Sequence, residues 1–521
     1  MEEQYTNDAE IDAELARFAA EEAKKIGIDA APDHWRDNVS TKFMASQRAH
    51  TTILVSGLTI AHDTFVVAGL GGLGYKLEAM DSPDSAALQL GKEYGNRGQC
   101  NPTYFTVGNL VKHLQLLRDE KGLSTEEVIK NYVFLTAGAC GPCRFGTYVT
   151  EYRKALRDSG FEGFRVILFQ QQGGLKQATG EAEGLEMNPA FFITILKSLF
   201  AGDILNLLGY RIRPYEVVPG STDIALGQSK DIICEALAKG NSLILALRKV
   251  SKVLGAVEVD RLQPKPKVSI IGEFWAMTTE GEGNYRLQRF LEQEGAEVDI
   301  QPIVNWILFM IWENRHDTKE RMTLRADDGG RKGLDGKDPW KKLAQLAVAE
   351  VALRGVFTGL ALTAGLRDYH LPDMDEVARL AKDHFNNNVR GGEGHMEVGK
   401  VIQMVQKKKV HMVVSVKPFG CMPSAGVSDG VQSLITQRYP ELIFLPIETS
   451  GDGAVNVQSR VQMMLFRARQ RAKEELGKSL ETAGLSLEQA KVKAKAKGWT
   501  NGLRYPKHAV IGTGANVVAA L

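Results

Sequence analysis

The chain is poor in cysteine and has no excess of charge of either sign. Five cysteines, Cys100, Cys140, Cys143, Cys234 and Cys421, are spread over 521 residues. An odd, sparse set is no disulfide framework, so the question is whether some of them bind metal. Lys plus Arg number 64 and Asp plus Glu 63, a balance that gives no electrostatic case for nucleic acid or an anionic membrane surface as partner. The N-terminus, MEEQYTNDAEIDAELARFAAEEAKK, lacks an apolar stretch and a small-residue cleavage site, so no signal peptide is read there. No unbroken run of about 18 apolar residues occurs; no membrane span is expected, and a cytoplasmic location is. A Walker-A sequence is also missing, and nothing points to ATP binding by this chain.

What is present is an alternating rhythm. With 44% hydrophobic residues the chain can fill at least two cores. Strands are expected at Thr51–Gly57, Lys76–Ala79, Tyr132–Ala137 and Arg165–Phe169, with helices near 63–72, 188–209 and 229–255. Asp260–Lys267, DRLQPKPK, reads as a charged linker. The rhythm restarts with strands at Val268–Gly272, Glu297–Ile303, Val410–Val416 and Leu442–Ile447, and helices near 284–293, 341–364, 374–388 and 455–477. The stretch Arg315–Trp340 reads as a surface insertion. The fold class expected is α/β, with two doubly wound parallel sheets. The expected division is a helical leader over 1–50, a first α/β domain over 51–259, a second over 260–478 and a helical tail over 479–521.

Three cysteines share a setting. Cys140 and Cys143 follow the strand YVFLTA and precede a helix, and Cys421 does the same after VHMVVSV. Ligands of open α/β sheets sit outside such carboxyl ends. Cys100 lies in the glycine-bearing loop YGNRGQC, also before a helix. Four thiolates saturate one [4Fe–4S] cluster, and helix N-termini favour their charge. From spacing alone, iron–sulfur, zinc and uncoordinated thiols all stay open. Cys234, in SKDIICEALAKG, has apolar neighbours at helical spacing and reads as a core residue. Gly69–Gly74 fits G-x-G-x-x-G but closes a helix and leads into a strand, the wrong context for a dinucleotide. Two other stretches, around Glu273 and Asn284 and around Arg390, Glu393 and His395, can line a pocket beside Cys421. Equally, Glu273 and Asn284 can serve only to satisfy loop backbone and cap a helix.

The stretches TTILVSGLTIAHDTFVVAGLGGLGYK, GKEYGNRGQCNPTYFTVGNLVK, GACGPCRFGTY, GEFWAMTTEGEGNY, GGEGHMEVGK and KPFGCMPSAGVSDGVQSLITQRYP occur in that order. Together they resemble the long, activase-associated branch of the 2-hydroxyacyl-CoA dehydratase superfamily, described as CoA-substrate-specific enzyme activase-related proteins. The resemblance covers about residues 50–475. It implies Rossmann-like domains, a [4Fe–4S] cluster as cofactor, and low-potential electrons from a separate ATP-dependent activase. It also implies an acyl-CoA or similar substrate and a related dehydratase-like subunit as a further partner. Carried over, Cys100, Cys143 and Cys421 fit the cysteine-bearing loops, with Cys140 as fourth ligand. There are departures. Characterised dehydratases often leave one iron open to substrate, whereas four cysteines close it and would make an electron carrier. A double-cubane cluster needs about six cysteine ligands, which five cannot supply. The alternative expectation is a structural zinc scaffold or interaction protein of an activase complex.

Overall fold

The computed structural model of the chain describes residues 14, 17–18, 20–22, 24–25, 43–138, 143–170, 184–186, 188–322, 334, 338–389 and 391–521. Met1–Ser40 is a separate compact unit, whose described residues are helical. Thr41–Leu521 is the other, and it holds two four-stranded sheets. The first comprises β1 (Thr52–Val55), β2 (Leu77–Ala79), β3 (Tyr132–Gly138) and β4 (Arg165–Gln170). The second comprises β5 (Lys267–Gly272), β6 (Glu297–Ile300), β7 (Met412–Pro418) and β8 (Ile443–Thr449). Their orders are β2-β1-β3-β4 and β6-β5-β7-β8, and every pairing is parallel. The two sheets thus have the same topology, and the order reverses beside β1 in one and beside β5 in the other.

These strands form where the sequence offers short apolar, β-branched runs. All residues of β1 are buried and so are nearly all of β5 and β7, as parallel strands covered on both faces require. The helices used below are α1 (Ile60–Gly71), α2 (Asn101–Asp119), α3 (Pro189–Ile212), α4 (Ile303–Met322), α5 (Pro339–Ala364), α6 (His395–Gln406) and α7 (Ala454–Ala483). The glycines of Gly69–Gly74 end α1 and lead into β2, as their context implied.

Three expectations need correction. Residues 260–266 are no solvated linker: Arg261 and Leu262 are buried, and the Arg261 guanidinium donates to the carbonyls of Arg211 and Gly502. Charge and proline marked the segment as surface because its partners lie far away in sequence. Arg315–Trp340 is not wholly an insertion, since α4 runs to Met322 and Arg315 pairs with Glu350 at 3.1 Å and Asp375 at 2.6 Å. Finally, Pro189–Tyr215 and Pro339–Ala364 are long and apolar enough, by length and composition, to cross a membrane. Scattered charges hid this in the sequence. Of the most apolar window, 56% is buried inside the protein in the first and 17% in the second.

One carboxylate ties α3 to α4. Asp203 of α3 accepts from the backbone N–H groups of Ile303 and Val304 at 2.7 and 2.8 Å, capping α4 from outside. His62 Nε2 stands 3.2 Å from Asp203, and its Nδ1 is 2.6 Å from the Thr59 hydroxyl. Hydroxyl, imidazole and carboxylate have the order of a nucleophilic triad. However, the cavity beside them is about 10 Å³, which admits no more than a water. This is a clasp, not a reaction centre.

Candidate functional site

The loops after β3 and β7 occupy equivalent places in the two sheets, and both carry cysteine. Cys143 precedes a short 3-10 turn, Arg144–Thr147, and then a helix, Tyr148–Asp158. Cys421 stands at the N-cap of Met422–Ala425, which runs through a π-helical turn, Gly426–Val431, into Gln432–Arg438. Such turns are rare and are found often at functional sites. Cys100 is the N-cap residue of α2. Cys140 and Arg390 lie outside the described residues.

Backbone contacts bring the three loops together. The Asn101 N–H donates to the Phe419 carbonyl at 2.9 Å, and Arg144 Nε donates to the Gly420 carbonyl at 3.3 Å. Gly420 has φ +75°, and a Cβ there would stand 3.0 Å from the Gln99 carbonyl and 3.2 Å from Cys100 Cα. Only glycine suits both the conformation and the approach. The Cys100 loop is held from behind by Glu151, buried in the helix Tyr148–Asp158. Glu151 accepts from the Asn96 backbone at 3.0 Å, the Asn96 amide at 2.8 Å and the Gln99 amide at 3.0 Å.

Each sulfur has hydrogen-bonding neighbours. Cys100 Sγ lies 3.1 Å from the Thr103 hydroxyl and 3.2 Å from the Tyr148 hydroxyl. The Phe145 N–H donates to Cys143, and the backbone and side chain of Ser424 are the polar neighbours of Cys421. Burial pushes the Cys143 thiol up to about 12, and the charges of Glu273, Glu393 and Cys100 push the same way. Cys421 is raised by burial and by Glu273 and Glu393. The hydrogen bonds between the three loops thus bring Cys100, Cys143 and Cys421 into one locality, on which Glu273 and Glu393 act through their charge.

Acidic side chains from the second half complete it. Glu273 caps the helix Phe274–Thr278, accepting from the Ala276 N–H at 2.8 Å, and Glu393 accepts from the Phe274 N–H at 2.6 Å. Glu397 of α6 accepts from the Ser415 hydroxyl at 3.1 Å and the Gln432 amide at 2.6 Å. Burial pushes Glu273 and Glu397 each up to about 7. Glu393 is raised well above the usual range by burial and by the negative charges of Glu273 and Glu397. Among the described residues, no Lys or Arg offsets their burial. Glu393 in this state holds a proton at neutral pH, and Glu273 and Glu397 gain and lose one near neutrality, inside the protein.

The expected residues therefore divide. Cys100, Cys143 and Cys421 are brought together. Cys234 is partly buried and packed on the core around Leu247 and Val250, away from them. Asn284 does cap, its amide donating to the Ala276 and Thr279 carbonyls, and Glu273 caps while also facing the thiols. His395 is buried against the rings of Phe309 and Trp312, with centroids 5.2 and 4.4 Å away. Among the described residues no group of three or more His, Cys, Asp or Glu side chains stands close enough to hold a metal ion. The sequence reading missed Tyr148, Glu151 and Glu397. The spacing of Tyr148, Glu151 and Tyr152 marks one buried helical face, but a glutamate on it reads as surface until its partners are known. No family model matches the chain, and no curated protein matches its sequence.

Proposed function

We propose that this is an iron–sulfur protein of the kind its motifs resemble, with a [4Fe–4S] cluster bound by Cys100, Cys143 and Cys421, and with Cys140 as fourth ligand. The observation that carries the reading is the meeting of three cysteine loops, far apart in sequence, at the carboxyl ends of β3 and β7 and the start of α2. The residues suit such a group. The donors are soft sulfurs, and hydroxyl and backbone N–H groups stand beside each as donors to sulfur, one of the ways proteins tune a cluster. When bound, a cluster of this type supplies one-electron transfer.

In this reading both sheets are Rossmann-like and doubly wound, and the site lies at their switch points. The protein works in the cytoplasm, free of nucleic acid and membrane. It takes low-potential electrons from an ATP-dependent activase and passes them to an acyl-CoA or similar substrate, alone or with a related dehydratase-like subunit. Glu273 and Glu393 act as buried proton donors beside the place where electrons arrive. Arg144, at the edge of the site, meets an acidic patch on the activase and steers its approach.

Anaerobic purification followed by metal and acid-labile sulfide analysis tests this. About four irons and as much sulfide per chain are expected. Stoichiometric zinc without iron would overturn the reading in favour of a structural scaffold. A cognate activase with ATP should reduce the cluster much faster than the activase without ATP, and added salt should slow the reaction.

A further inference from the structure

α5 is built inside out. Glu350 and Arg354 turn toward the protein, where Glu350 accepts from Arg315 at 3.1 Å and from Arg354 at 3.0 Å, and Arg354 also donates to the carbonyls of Leu371 and Pro372. Phe357, Leu360, Ala361 and Ala364 pack into the core. The opposite face is apolar and open to water: Trp340 is 70% exposed, Val348 69%, Val351 72% and Leu362 55%. At about 3.6 residues per turn these four share one side with Ala344, Gly355 and Gly359. The face leaves on the order of 500 Å² of apolar surface in water, as large as the biggest patch on a typical monomer. It is also the larger part of the ~800 Å² that each partner gives to a standard interface.

Two glycines in this face are required by no neighbour among the described residues. A Cβ at Gly355 or Gly359 would meet nothing within 4 Å, and each glycine inside a helix costs about 1 kcal/mol relative to alanine. Their spacing leaves a shallow groove that lets another backbone approach closely. The face also matches itself. With a second α5 laid antiparallel about a point between Val351 and Ala352, Val348 comes opposite Gly355, and Ala344 opposite Gly359. Trp340 then lies beside Leu362. Large side chains meet small ones in both directions, as a two-fold axis demands. Lys341, exposed near the start of the helix, falls beside the carbonyl end of the other helix, whose dipole favours a cation.

We propose that this face of α5 is the interface through which two copies of the chain pair, antiparallel, about a two-fold axis at Val351–Ala352. The inference is independent of what the cysteines bind.

Sedimentation equilibrium of the full chain over the micromolar range tests it. The natural chain should be a dimer. Val351→Glu, which sets two carboxylates against each other on the axis, should leave a folded monomer with an unchanged circular dichroism spectrum, because the position is 72% exposed in the single chain; its melting temperature should no longer depend on protein concentration. Gly355→Val should weaken pairing at least tenfold, and Val348→Ala with Gly355→Val, which moves the knob to the other side of the contact, should restore it. A monomeric natural chain, or a dimer indifferent to Val351→Glu, overturns the proposal. Loss in Gly355→Val without recovery in the double variant rejects the two-fold register. A monomer that floats with phosphatidylcholine–phosphatidylglycerol vesicles, and no longer does so as Val351→Glu, also overturns it and assigns the face to a lipid surface.

Discussion

The two ends of the second sheet bury carboxylates under opposite conditions. At the amino end, Glu297 opens β6 beside Lys267, which opens β5, with Nζ 3.6 Å from the carboxylate. Tyr215, Thr513 and Tyr505 all donate hydroxyls to it. Burial works to raise the Glu297 pKa, but Lys267 and the three hydroxyls outweigh it, and the group is held below the usual range. Lys267 is raised in turn, Glu297 overcoming its burial. At the carboxyl end, Glu273, Glu393 and Glu397 have backbone and neutral partners but no described cation. Glu393 keeps its proton, and Glu273 and Glu397 are pushed up to about 7. Burial thus gives a charged, closed network at one end and a cluster that takes up protons at the other. Ligands of such sheets are met at the carboxyl end, and there the cost of unpaired acids is tolerated.

The contrast is broken most severely at the amino end. Lys267→Met leaves Glu297 buried without its cation and should cost about 3–5 kcal/mol. Glu393→Gln, which preserves the acceptor for the Phe274 N–H and replaces a group already neutral, should cost less than about 1 kcal/mol. Urea unfolding at neutral pH measures both, and equal losses would erase the distinction.

The pH dependence should run in opposite senses. Glu397 binds its proton more tightly folded than unfolded. Its stabilisation is complete below its unfolded pKa of 4.5 and is lost as pH rises toward about 7. Glu297, lowered by folding, stabilises above its unfolded pKa and loses that contribution on acidification. Glu397→Gln should therefore remove about 1.4 kcal/mol per pH unit from the decline between those two values. Stability curves of the variant and natural chains, measured at several pH values, check the difference in slope.

The smallest effect belongs outside both clusters. Cys234→Ala should cost about 1 kcal/mol of packing and leave the iron content unchanged, whereas Cys421→Ala should lose the iron. Iron analysis of the two variants beside their melting temperatures separates a ligand from a core thiol.

Much of this architecture was legible in the chain. All eight strands were readable because β-branched apolar runs such as TTILV and VHMVVSV have few other destinations in a folded protein. The cysteines at strand ends pointed to the candidate site for the same reason, since strand ends are local features. The acids were harder. Glu393 and Glu273 were visible only as polar residues in glycine-rich loops, and Glu397 not at all, because its significance rests on Ser415 and Gln432 from two other elements. Residues 260–266 misled because a buried arginine and a solvated one have the same letter. The inward turn of Glu350 and Arg354 was hidden for a related reason: Arg315, which pairs with Glu350, sits on another helix, and the carbonyls that Arg354 reaches lie at Leu371 and Pro372, beyond the end of α5.

Asp203 also bears on the order of assembly. The cap for α4 is not part of the segment that forms α4; it is supplied by α3, a hundred residues earlier. A ribosome therefore releases the cap well before the helix it will close. A second half cut free at residue 260 would begin α4 with two bare N–H groups and no carboxylate to meet them. Separate expression of that fragment should thus yield an incompletely folded chain, and co-expression with the preceding segment should rescue it. The two sheets, alike in topology, are in this respect not two proteins joined in series, because the earlier one acts as template for the later.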